Sequence, residues 1–145
     1  MDFMTAMDIS ASGLSAERSN MNIISMNLAN VQTTRTPEGG PYQRRRVIFR
    51  AAPVDMPFEK AVQSALDRDV KGVKVARVEK DSRPFKQVFE PDHPDANEDG
   101  YVLYPDINVM EEMANMLTAT RAYEANLSSI ATIKTMLNQA LQIGR

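Results

Sequence analysis

The sequence predicts an α+β chain: two long terminal helices forming an antiparallel, coiled-coil-like pair, with a small β-rich segment between them. Three observations carry this expectation. All 8 prolines fall between Pro37 and Pro105. Apolar residues recur every seven positions at both ends of the chain, and the proline-bearing middle is a series of short Val-, Phe- and Tyr-rich runs separated by turn formers. A length of 145 residues suits one folded core. The expected division is an N-terminal assembly helix over 1–34, a β-rich middle over 35–105 and a C-terminal assembly helix over 106–145.

The first helix is read from Met4 to Val31, a stretch with no proline and one glycine. Met7, Leu14, Met21 and Leu28 form a heptad row; Met4 and Ala11 precede the first two by three, and Ile24 and Val31 follow the last two by three. The stripe therefore drifts slowly around the axis. Ala6, Gly13, Asn20 and Asn27 repeat with the same period, which marks either a low strip where another helix can come close or the solvated back of the helix. "TTRTPEGGPY" is so rich in turn formers that the helix must end by about Thr33.

In the middle, "YQRRRVIFR", "VKVARVEK", "PFKQVFE" and "GYVLYP" read as short strands bounded by Pro, Gly and Asp. "PFEKAVQSAL" reads as a short helix. "PDHPDANEDG" reads as a loop, because its prolines forbid regular structure on either side.

The last helix is read from Asn108 to Ile143. Met116, Tyr123, Ile130 and Leu137 make one heptad row; Met113, Thr120, Leu127, Lys134 and Leu141 are expected to be its partner, three residues earlier. Asn108 with Glu111 suggests a capping box, Pro105 stops a helix upstream and Gly144 marks the stop downstream. At ~1.5 Å per residue the two helices reach about 42 and 50 Å, more than a middle of about 70 residues can cover. Their apolar faces therefore point to burial against other subunits.

Charge narrows the function classes. The chain carries 17 basic and 19 acidic residues, a net charge of −2, which offers no strong field to nucleic acid or an anionic membrane. Its distribution is uneven: Arg35 to Glu90 has 13 basic against 8 acidic residues, and Pro91 to Glu112 has 7 acidic residues and no cation. Arg44, Arg45 and Arg46 are thus expected to meet Asp92, Asp95, Glu98 and Asp99 across a subunit boundary, setting register more than strength. The absence of cysteine excludes disulfides, thiolate metal sites and a cysteine nucleophile. His93, alone among loop acids between two prolines, is a poor metal ligand and a poor base. Arg121, Tyr123 and Glu124 sit on or beside the seam, as interhelical contacts do. No enzyme, metal or cofactor is expected. "MDFMTAMDIS" has acids where a signal peptide needs cations, so no cleaved leader is expected.

One further stretch stands out. From Ser19 to Thr34 no side chain is charged, yet four are asparagines. Asn and Thr are common at any helix terminus; a neutral, amide-bearing end also suits burial at a subunit junction, the reading that the family resemblance below favours, because Asn27 and Asn30 can bond backbone groups without the desolvation cost of a charge. Asn30 can adopt the left-handed conformation at a helix end, and the hydroxyls of Thr33 and Thr34 can serve carbonyls left by the last turn.

"SMNLANVQTT" resembles the N-terminal signature of the bacterial flagellar axial proteins. "NVMEEMANMLTATRAYEANLSSIATIKTMLNQALQIG" resembles their C-terminal helix, with "RAYEAN", which includes Asn126, its most specific piece. "FEPDHPDANEDGYVLYPDIN" is similar to the segment that marks the proximal rod members, apart from Asp106, where Asn is expected. The resemblance spans nearly the whole chain and names the flagellar basal-body rod proteins. It implies a structural subunit that is exported by the flagellar type III apparatus without a cleaved signal. The subunit then polymerises helically through its terminal helices and transmits torque within the periplasmic rod. The implied partners are other rod subunits, further copies of the chain, the export apparatus and the adaptor at the rod base; no nucleic acid or membrane insertion is implied. The alternative reading is a coiled-coil adaptor or DNA-associated protein using the basic strand at 42–50.

Overall fold

The computed structural model describes residues 3–53 and 71–143. The expected short helix "PFEKAVQSAL" lies outside the described residues. In chain order the elements are α1 (Phe3–Ala29), β1 (Arg45–Pro53), β2 (Lys71–Lys80), β3 (Lys86–Phe89), β4 (Tyr101–Tyr104) and α2 (Val109–Ile143).

The two helices run antiparallel and pack directly on one another. The pairing places Gly13 beneath Asn126, Met21 beside Thr120 and Asn27 beside Glu112. At Gly13 the Asn126 side chain lies directly against the α1 backbone. A Cβ built there would lie 3.0 Å from Asn126 Nδ2, so the low strip on α1 does receive a helix, and that helix belongs to the same chain. Since α1 starts at Phe3 and each of these pairs sits at mirrored positions, the last turns of α2 extend past the end of its partner.

β1 and β2 form a two-stranded antiparallel sheet whose register shifts between Ile48 and Phe49. The shift leaves Ala76 without a partner of its own, as in a β-bulge. This hairpin lies on α1, where the Val73 N–H donates to Ser12 Oγ at 3.0 Å and Ala52 and Gly72 are buried. β3 and β4 form a second two-stranded antiparallel sheet joined by the "PDHPDANEDG" loop, a series of turns as expected. Gly100 closes it with φ +81°, a conformation glycine adopts without steric cost.

The heptad offset on α2 differs from expectation. Met116, Tyr123 and Ile130 are half-buried on the face toward α1, but the row that joins them is Glu112, Ala119, Asn126 and Ile133, four residues earlier. Met113 and Leu127, expected at an offset of three, are 55% and 52% exposed, and Leu137 and Leu141 are exposed where α2 runs past the end of α1. The physical reason is the low strip on α1. Small residues there let α2 settle on its own small residues, Ala119 and Asn126, instead of interlocking larger knobs.

Among the described residues the buried apolar set is small: Ala16, Ile24, Tyr42, Ala52, Val102, Ile107 and Ala119. Against these seven stand seventeen large apolar residues that remain exposed, seven of them in the run from Met110 to Leu141. A single copy thus leaves its greasy outer faces uncovered.

Candidate functional site: a polar joint and an open helix face

Two features organise the surface. One is inward and polar, the other outward and apolar.

The inward feature joins both helices to the first hairpin. Asn27, 1% exposed, uses its whole carboxamide. Its Nδ2 donates to the Arg45 carbonyl at 2.8 Å and to Glu112 Oε2 at 2.9 Å. Its Oδ1 accepts from the Arg45 N–H at 2.9 Å and from the Tyr42 hydroxyl at 3.1 Å. The side chain therefore pairs with β1 as another strand would, closing the outer edge of the strand where it begins. Glu112, 0% exposed, accepts from Arg44 Nε at 2.9 Å. Arg44 also reaches Asp81 at 3.2 Å and Glu111 at 3.6 Å, and Arg83 holds Asp81 at 3.0 Å and Glu111 at 3.3 Å. No buried side-chain polar atom among the described residues lacks a partner. That satisfaction is what makes a buried carboxylate tolerable.

Local charge follows from this packing. Burial alone would raise the Asp81 carboxyl, but the Arg83 and Arg44 guanidiniums hold it below the usual range. The Tyr42 hydroxyl is raised by burial, against the opposing pull of Arg45, whose guanidinium lies 5.8 Å from the ring centre. The hydrogen bond to Glu111 raises Arg83 further.

Several expectations change here. Asn27 is buried by its own chain, so its neutrality serves an intramolecular joint and it is not presented to a neighbour. Asn30 is not left-handed, since among the described residues only glycines have positive φ; its Nδ2 instead donates to the Met26 carbonyl at 2.8 Å. The Thr33 hydroxyl donates to Asn30 Oδ1 at 3.1 Å, and that of Thr34 to Asp95 Oδ2 at 2.8 Å, not to carbonyls of the last turn. Asn108 caps α2 by accepting from the Met110 N–H at 3.0 Å, but the Glu111 carboxylate turns to Arg83 and Arg44, leaving the box half-made.

The basic strand changes most. Arg44 is consumed by Glu112 and Asp81, Arg46 pairs with Glu79 at 3.2 Å, and Arg45 stacks on Tyr42. It is not the free cationic stripe that a nucleic-acid or adaptor surface at 42–50 requires, and that alternative has no support. Of the acids, Asp95 accepts from Thr34 and lies 4.0 Å from Arg35, while Asp92, Glu98 and Asp99 make no ion pair among the described residues.

The outward feature is on α2, where Met110, Met113 and Leu117 are exposed on the side away from α1, Leu127 is exposed at its flank, and Leu141 is exposed beyond the end of α1. Arg121 and Glu124 are exposed beside them; Tyr123, Thr120 and Asn126 face α1. On α1, Met7, Leu14, Met21, Leu28 and Val31 are half-buried and Ile24 is buried. Sequence reasoning missed Glu112, Tyr42, Asp81 and Arg83. The available signal was Glu112 itself, an acid seven residues before Ala119 and fourteen before Asn126, on the row that meets α1.

Among the described residues no group of three His, Asp or Glu side chains could hold a metal, and no helix is long and apolar enough to cross a membrane. Fold and surface define a class: a helical-hairpin protein, braced by an internal polar joint, whose second helix keeps an apolar face open. Residues 7–35 match the model of the flagella basal body rod protein family, and residues 98–143 that of the flagellar basal body rod FlgEFG protein C-terminal region. The chain is 43% identical to the flagellar basal-body rod protein FlgC of Borreliella burgdorferi, over 99% of this chain and 98% of that one. It is 36% identical to FlgC of Bacillus subtilis over 97% of both chains, and 34% identical to FlgC of Salmonella typhimurium over the full length of both. The chain belongs to the FlgC family of flagellar basal-body rod proteins.

Proposed function

We propose that this chain is a structural subunit of the flagellar basal-body rod, in its proximal part. One observation carries the reading: similarity to relatives named for that structure runs from end to end of both chains. The exposed apolar residues of α2 support it, because large apolar side chains left uncovered along a well-formed helix are what a bundle of neighbouring helices covers.

In this reading the helix pair bundles with other rod subunits and with further copies of itself in a helical array, reaching the adaptor at the rod base, and transmits torque across the periplasm. The chain reaches that place through the flagellar type III export apparatus without a cleaved signal. The contact residues are the exposed apolar ones of α2, Met113, Leu117, Leu127 and Leu141, with Arg121 and Glu124 among them. The division into two assembly helices and a β-rich middle is part of the same proposal.

The test is Leu127→Asp. Leu127 is 52% exposed in one copy, so the substitution leaves the chain folded, whereas in the rod it places a charge at a dry helix contact. The expected result is loss of incorporation into basal bodies and loss of swarming, with the circular dichroism of the free chain unchanged. Normal swarming by this variant would overturn the proposal.

A further inference from the structure

Asp99 followed by Gly100 is the only place in the chain where an aspartate or asparagine precedes glycine. An aspartyl–glycyl step is open to attack from within. The glycine amide nitrogen has no side chain beside it, so it can reach the aspartate Cγ and close a five-membered succinimide ring.

The fold creates this exposure and cannot easily remove it. Gly100 has a φ of +81°, and a Cβ there would stand 2.9 Å from the Phe89 ring, so the corner strongly favours glycine. The carboxylate before it is loosely held. Asp81 and Asp95 also precede small residues, Ser82 and Ala96, but Asp81 is gripped by Arg83 and Arg44, and Asp95 accepts from the Thr34 hydroxyl. Asp99 is exposed and makes no ion pair among the described residues.

One residue stands between this step and the reaction. The Asn97 carbonyl accepts from the Gly100 N–H at 2.9 Å, which occupies the nitrogen that would attack. Asn97 Oδ1 accepts from the Asp99 N–H at 3.1 Å and from the Tyr101 N–H at 2.8 Å. The Asn97 N–H in turn donates to the Tyr101 carbonyl at 2.9 Å, and the Gly100 carbonyl accepts from the Glu90 N–H at 2.9 Å. The amides on both sides of the step are therefore fixed. Ring closure requires the peptide between Asp99 and Gly100 to rotate, and every bond broken by that rotation adds to the barrier.

We propose that Asp99–Gly100 is a site of spontaneous isoaspartate formation and that Asn97 guards it in the folded chain. The chemistry needs no co-reactant but water. The Gly100 nitrogen bonds to Cγ of the protonated Asp99 carboxyl; its hydroxyl leaves with the amide proton as water. A second water then opens the ring. Opening at Cγ restores aspartate, whereas opening at the main-chain carbonyl leaves Gly100 attached through Cγ and lengthens the backbone by one methylene. The longer backbone no longer fits the corner that sets Phe89 against Tyr101. Protection belongs to the fold, so a chain held unfolded ages at this step and a folded chain resists. The inference is independent of the rod reading.

The test incubates the purified full-length chain at neutral pH, in native buffer and in concentrated guanidinium chloride. Peptide mapping with electron-transfer fragmentation then counts isoaspartate at position 99. The unfolded chain is expected to convert at least about tenfold faster than the folded one. In native buffer Asn97→Ala, which removes both side-chain bonds, should convert at least about fivefold faster than the parent. Asn97→Asp keeps an acceptor in the same place and should stay close to the parent, and Asp99→Glu, which would need a larger ring, should give no product. An unfolded chain that stays intact, a folded parent that converts as fast as the unfolded one, or an Asn97→Ala chain no faster than the parent overturns the proposal. The near-ultraviolet signal of the Phe89–Tyr101 pair reports whether Asn97→Ala keeps the hairpin. If that signal is lost, Asn97→Asp decides, and its conversion at the unfolded rate overturns the proposal.

Discussion

Replacing Arg44 with Met tests whether the polar joint holds the chain together. Glu112 is 0% exposed and receives Arg44 Nε at 2.9 Å and Asn27 Nδ2 at 2.9 Å. Met keeps most of the apolar stem but removes the guanidinium, leaving a buried carboxylate with one neutral donor. Breaking a buried ion pair from one side costs about 3–5 kcal/mol. Domains of ordinary size are stable by only about 5–15 kcal/mol, and here seven buried apolar residues form the described core. The single substitution should therefore remove a third or more of the stability. Arg44→Met with Glu112→Leu removes the stranded charge as well, and should return most of the loss, because an apolar pair of similar volume is about neutral or better. Asn27 keeps its bonds to the Arg45 backbone at 2.8 and 2.9 Å in both variants. Urea unfolding followed by far-ultraviolet circular dichroism measures both midpoints, and amide exchange near Asn27 and Glu112 locates the effect. A single variant within about 0.5 kcal/mol of the parent, or a double variant as weak as the single, would refute the reasoning.

Other outcomes follow from the same structure. Because the folded Asp81 carboxyl titrates below its ordinary value, held there by Arg83 and Arg44 against burial, its stabilising contribution is complete above the ordinary value. It disappears as pH falls through the lowered one, so Asp81→Asn should flatten the acid limb of stability measured from about pH 6 to about pH 2. Gly100→Ala should cost about 1–3 kcal/mol and weaken the near-ultraviolet signal of the Phe89–Tyr101 pair. Its φ is +81°, and a Cβ there would sit 2.9 Å from the Phe89 ring; an unaltered spectrum and midpoint would contradict this. In the free chain the far ends of the helix pair should fray, since from Ala131 to Gln142 only Ile133 is even half-buried. Circular dichroism should then report less helix than the 27 and 35 residues of α1 and α2, and protease should trim both ends first; uniform protection along both helices would argue otherwise.

Much of the architecture was legible because element type is a local property. Confinement of proline to the middle and the seven-residue recurrence at each end mark two helices. Alternating Val, Phe and Tyr between turn formers marks four strands, and the "PDHPDANEDG" loop needed only its prolines. The low strip through Gly13 was visible too, but its period fits close approach and a solvated back equally well. The family was legible too, through "SMNLANVQTT" and "RAYEAN" at the two ends.

Which side chains meet was a different matter. A heptad pattern says that a helix has an inner face, but offsets of three and four on either side of Met116 are equally helical. Only the depth of the opposing α1 surface selects Ala119 and Asn126 over Leu127 and Met113. Asn27 and Glu112 lie 85 positions apart. Their bond depends on how both hairpins return the chain, which no local period encodes, so an amide that looked made for a neighbour turned out to face inward. The same holds for charge: the sequence determined by itself that the middle is basic and its exit acidic. Only the tertiary structure decided that Arg44 is spent at home while two oppositely charged hairpins stand apart, because Coulomb interactions follow distance in space rather than along the chain.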